Sequence, residues 1–104
     1  MEKREIEHKI KSLVRSIEPN AEVILFGSRA RGEARIDSDW DILILLKKNP
    51  VHLRDEQKIR HLLYDLELEL GITISTFVHS FDEWNRQLIP SPFMQNVKRE
   101  GIAI

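Results

Sequence analysis

"LFGSRARGEARIDSDWDILILL", residues 25–46, decides how this chain is read. Apolar Leu25 and Phe26 run into Gly27 and Ser28. Ten mostly polar residues follow, Arg29 to Ser38, and then Asp39 and Asp41 stand at the mouth of the apolar run Ile42 to Leu46. Strand alternation points residues i and i+2 to the same face, so Asp39 and Asp41 project together, with Trp40 and Ile42 opposite. Two carboxylates this close repel, and unpaired burial is costly. A divalent cation removes both problems, and Mg²⁺ takes one or two carboxylates together with substrate phosphates and water. The competing reading is a pair of solvated residues at a strand start.

The turn before them suits an anion. A strand that ends in Gly-Ser and enters a short helix aims backbone N–H groups outward, and the Ser28 hydroxyl adds a donor. A simple N-cap serine fits the same two residues. Arg29, Arg31 and Arg35 lie in the same segment, available either to nucleotide phosphates or to surface pairing with Glu33 and Asp37.

Working outward, Ile6, Ile10, Leu13, Val14 and Ile17 recur three or four residues apart and predict an amphipathic helix over 2–18. Pro19 and Asn20 stop it. Strands are expected at 23–27, 39–46 and 72–78, and a long helix at 51–70 closed by Gly71. Ser80 followed by Glu83 reads as a capping box opening a helix at 80–84, and after "PSP" a last short helix covers 92–99. Short strands separated by helices give an α/β (α+β) fold: a small mixed β-sheet flanked by helices, in one domain over residues 1–104.

Bulk properties narrow the function. Sixteen Lys and Arg balance seventeen Asp and Glu, for a net charge of −1 and a pI near 6.4. Strong nucleic-acid binding is not expected of such a balance. There is no cysteine, hence no disulfide or thiolate metal site. The N-terminus lacks an apolar signal core, and no apolar run reaches the ~20 residues that span a bilayer. A cytoplasmic location and no membrane contact are the expectation.

Taken together, Gly27-Ser28, ten intervening residues and Asp39-x-Asp41 resemble the signature of the nucleotidyltransferase superfamily related to DNA polymerase β. The fuller string "FGSRARGEARIDSDWDILIL", with the chain's length and element order, is similar to the minimal nucleotidyltransferases, or MNT domains. The resemblance implies transfer of a nucleoside monophosphate, AMP from ATP, to a hydroxyl of a protein or small molecule. It implies Gly27 and Ser28 on the β- and γ-phosphates and Asp39 and Asp41 as catalytic Mg²⁺ ligands; Arg29, Arg31 and Arg35, from their place in the segment, are the further phosphate-binding candidates. Minimal members are frequently encoded beside a HEPN-domain protein as a toxin–antitoxin pair, so a HEPN partner is implied too. Homo-oligomerisation stays open.

In one respect the chain departs from that pattern. The superfamily carries a third carboxylate on a later strand, here "ITISTFV", 72–78, where no residue is acidic. The best alignment puts Ser75 at the carboxylate position, with Thr73 next. Glu33, Asp37 and Asp82 are the acidic residues available to complete the site from elsewhere. The alternative is a catalytically degenerate, nucleotide-binding module that acts by binding its partner. His79, Trp40 and Trp84 read as packing or capping residues rather than ligands.

Overall fold

The computed structural model describes residues 1–88 and 91–104. Pro90, read above as part of the break before the last helix, lies outside the described residues. The elements run α1 (Lys3–Ile17), β1 (Glu22–Phe26), α2 (Ser28–Arg31), β2 (Trp40–Leu46), α3 (Leu53–Leu70), β3 (Ile74–Ser80), α4 (Phe81–Asn85), α5 (Ser91–Glu100) and β4 (Ile102–Ala103).

The four strands form one mixed sheet in the order β3-β2-β1-β4. β2 is central: it runs antiparallel to β1 and parallel to β3. A parallel neighbour needs a crossover, which α3 supplies. Both faces of β2 are covered, which is why its sequence is nearly continuously apolar. Trp40, Ile42, Ile44 and Leu46 face α1 and α3 in the larger core, where Ile6, Ile10, Val14, Ile59, Leu63 and Leu66 meet them. Leu43 and Leu45 face the opposite side with Phe26, and Trp84, Met94 and Val97 of α4 and α5 close over them. The helical periodicities therefore identify the buried faces, although Ile17 and Leu53 end exposed at helix termini.

Three local devices lie where the sequence predicts. Gly71 adopts the left-handed conformation, φ 66°, and its N–H returns to Glu67 O. Ser80 caps α4, its hydroxyl accepting from the Glu83 N–H at 3.3 Å; only this N-cap half of the expected capping box forms, since the Glu83 side chain does not return to the Ser80 N–H. The segment from Ser28 begins as one helical turn and continues as loop.

The third strand starts and ends two residues later than expected, at Ile74–Ser80. Its register is set by β2, whose first residue Trp40 lies opposite Ile74. Glu67 accepts the Ile74 N–H at 2.6 Å and so satisfies the first donor of this edge strand. β4 carries too little periodicity to announce itself. It is held by pairing of Ile102 and Ala103 with Leu25 and Ile24. Gly101 joins α5 to it, and a Cβ there would press 2.5 Å from the Val97 carbonyl. Among the described residues no helix is long and apolar enough to cross a membrane.

Ile44 is fully buried on the central strand. Ile44→Ala should cost about 2–5 kcal/mol of unfolding free energy in urea denaturation. A loss below about 1 kcal/mol would contradict the packing described.

Candidate active site

Three strand ends assemble the site. In the sheet register Phe26 of β1, Asp41 of β2 and Ser75 of β3 lie side by side. Asp39 precedes β2 by one residue and is exposed, whereas Asp41 is half-buried. The Ser75 hydroxyl donates to Asp39 Oδ2 at 3.3 Å. The residue expected at the third-carboxylate position is thus placed against the aspartate pair as a neutral donor, not as a charge.

Gly27 explains why glycine stands here. Its φ is 76°, a conformation side chains rarely adopt, and a Cβ built on it would collide with Asp41 Oδ2. The α carbon therefore lies directly against the carboxylate. Burial pushes the Asp41 pKa above the ordinary aspartate range; the charges of Asp39 and Glu100 add to this, and Arg31 opposes it. Two adjacent carboxylates, one of them desolvated, form a donor set suited to a hard divalent cation. Among the described residues no third His, Asp or Glu joins them at metal-binding spacing.

The three arginines part company. Arg29 turns into the loop after α2: Nε and Nη2 donate to Ser38 O at 3.1 and 2.8 Å, and Nη2 also reaches the carbonyls of Arg35 and Ile36. Its guanidinium lies 4.3 Å from the centroid of the Trp40 ring. Arg29 thereby pins the loop that delivers Asp39. Arg35 is exposed, and its main chain supports the same loop through Ser38. Arg31 stands beside the glycine turn, Nη1 on Glu100 Oε2 at 2.7 Å and Nε on Glu33 Oε2 at 3.2 Å.

Glu100 is the site residue that sequence reasoning missed. It ends α5, 73 residues after Gly27, and its Oε1 accepts the Gly27 N–H at 3.3 Å. Of the acidic residues considered from sequence, Glu33 is taken by Arg31, and Asp82 pairs with Arg86 and Asn49. Nothing local marks Glu100 in the run "NVKREG"; only the antiparallel pairing of β4 with β1 brings it to the turn.

Beyond Ser75, the same face of β3 presents Phe77 and then His79. Phe77 packs with Phe26 and Phe93 at ring-centroid distances of 5.7 and 5.1 Å. His79 lies against Trp84 and Phe93, and burial lowers its pKa below the usual histidine value. Trp40 and Trp84 are both buried in the cores.

The glycine turn thus lies against paired carboxylates on adjoining strand ends of a small mixed sheet. Comparison with known proteins identifies the family. The profile of a family described as "nucleotidyltransferase domain" matches residues 7–99. A candidate protein adenylyltransferase of Methanocaldococcus jannaschii is 35% identical over 82 residues, spanning 79% of this chain and 76% of that one. A solved candidate minimal nucleotidyltransferase superposes with a TM-score of 0.64 at 26% identity, over 100% of this chain and 97% of that one. A toxin–antitoxin structure with AMP-PNP superposes with a TM-score of 0.68, over 93% of this chain and 70% of that one. At 22% identity, this last likeness speaks for the fold. The chain belongs to the nucleotidyltransferase domain family, as a minimal member, and is a transferase.

The raised pKa of Asp41 makes a signed prediction. A carboxyl whose folded pKa exceeds its unfolded value binds protons more readily when folded. Its stabilising effect is complete below the unfolded pKa and lost as pH rises through the folded one. At neutral pH the ionised Asp41 thus destabilises the metal-free protein, and Asp41→Asn should raise its melting temperature in EDTA. A lowered melting temperature with the fold intact would refute this electrostatic account.

Proposed function

We propose that the chain transfers the AMP moiety of Mg²⁺-ATP to a hydroxyl on a protein partner, the bond from the hydroxyl oxygen to the α-phosphorus forming as the α–β anhydride breaks and pyrophosphate leaves. The observation that carries this is the alignment of Asp39 and Asp41 beside the Gly27-Ser28 turn, with no Cβ between the turn and the Asp41 carboxylate. The likeness to a candidate protein adenylyltransferase favours AMP as the group and protein as the acceptor. The toxin–antitoxin neighbours favour a partner protein, for which a HEPN-domain toxin is the expectation.

In this reading Asp39 and Asp41 hold Mg²⁺, which when bound neutralises triphosphate charge and lowers the pKa of the acceptor hydroxyl. Gly27 allows the phosphates to approach the main chain. Ser28 and Arg31 donate to the β- and γ-phosphates, while Arg29 and Arg35 hold the loop that aims Asp39. Ser75 orients Asp39 through its hydrogen bond but cannot take the acceptor's proton. The chain contributes position and charge, which phosphoryl-group chemistry chiefly requires.

Ser75 at the third position also favours a second reading, in which the chain binds nucleotide and restrains its partner by contact alone. One experiment separates the two. Purified chain is incubated with α-labelled ATP, Mg²⁺ and the product of the neighbouring gene. Transfer of label to that protein, reduced at least about a hundredfold in Asp39→Asn and Asp41→Asn, supports the enzyme. Restraint of the partner that survives both substitutions without label transfer supports the binding module.

A further inference from the structure

The backbone N–H of Gly27 and the guanidinium of Arg31 already share an anion. Glu100 presents one carboxylate oxygen to each, at 3.3 Å to the amide and 2.7 Å to Arg31 Nη1. Its side chain is only 13% exposed, with the bond to the Gly27 amide part-buried and the bond to Arg31 at the surface. A terminal phosphate uses the same kinds of donors: main-chain N–H groups and a guanidinium.

A single N–H donates well to one acceptor. A phosphate on Gly27 therefore competes with Glu100 for that donor, and the two anions repel if both remain. Leaving costs little motion. Glu100 closes α5, while Gly101 N–H is bonded to Val97 O at 2.6 Å and β4 is paired to β1, so rotation of the side chain alone vacates the donors.

We infer that Glu100 is an internal counter-anion: it holds the Gly27 amide and Arg31 in place while no nucleotide is bound, and is displaced by the triphosphate. This rests on the reading of Gly27 and Arg31 as phosphate donors. Glu100 is thus a positioning residue that sets nucleotide affinity by competition. Arg31 and the Gly27 N–H both favour its charged form, which makes it an effective competitor.

Glu100→Gln keeps the side chain's shape and removes its charge. By calorimetry, Mg²⁺-ATP should bind this variant about three- to tenfold more tightly than the parent chain, while the nucleotide-free melting temperature falls. These opposite signs separate competition from a merely structural role, which lowers affinity and melting temperature together. Unchanged or weaker binding by a folded Glu100→Gln, with binding intact in the parent, overturns the inference and leaves the phosphate-site reading standing. Absence of binding by both proteins at millimolar nucleotide overturns both. A second measurement needs no variant: inorganic tripolyphosphate is titrated into ¹³C,¹⁵N-labelled parent chain. The Glu100 carboxyl and Gly27 amide resonances should move together with one apparent affinity. Saturation that moves the amide and leaves the carboxyl in place also overturns the inference.

Discussion

The carboxylate of Asp41 rests against the α carbon of Gly27, and much of the site depends on that contact. Asp41 occupies the first turn of a strand buried on both faces, where an aspartate is out of keeping with Leu43, Ile44 and Leu45 behind it. The structure accepts it because β1 ends in a residue without a side chain, in a conformation that side chains rarely adopt. Any larger residue at 27 would push the carboxylate away or open the β1–β2 pairing. The same constraint brings main chain, rather than side chain, within reach of whatever the aspartates hold.

Around this contact the charges are distributed by task. Arg29 spends its guanidinium on the loop carbonyls and on Trp40, so the ten residues between Ser28 and Asp39 have a fixed path. Arg31 is directed to the glycine turn and meets Glu100 there. Ser75 supplies a hydroxyl where the family pattern leads one to expect an acid, and it is used to hold Asp39. The aspartate pair therefore works with a neutral neighbour on β3 and a carboxylate on the far side of the turn. That distribution suits holding a metal–nucleotide. Under the proposed reading, deprotonation of an acceptor would fall to the metal-bound state or to the partner.

Much of the fold can be read without coordinates because its elements obey local periods. Ile6, Ile10 and Val14 recur at helical spacing and are buried; Trp40, Ile42, Ile44 and Leu46 alternate with Asp41, Leu43 and Leu45 across the two cores. Gly71 and Ser80 end and begin helices by chemistry that involves only their neighbours. Where the reading missed, the cause is a partner distant in sequence. β3 takes its limits from its register on β2, more than thirty residues earlier in the chain.

The amino-acid sequence by itself determined the paired aspartates, the glycine–serine turn and the absence of an acid on the third strand, because alternation and spacing are short-range properties. Only the tertiary structure decided which arginine meets the turn, that Ser75 bonds Asp39, and that Glu100 sits on the Gly27 amide. Those facts depend on strand register and on a two-residue edge strand. Both are set by main-chain hydrogen bonds between segments far apart in the chain, and such bonds are indifferent to side-chain identity.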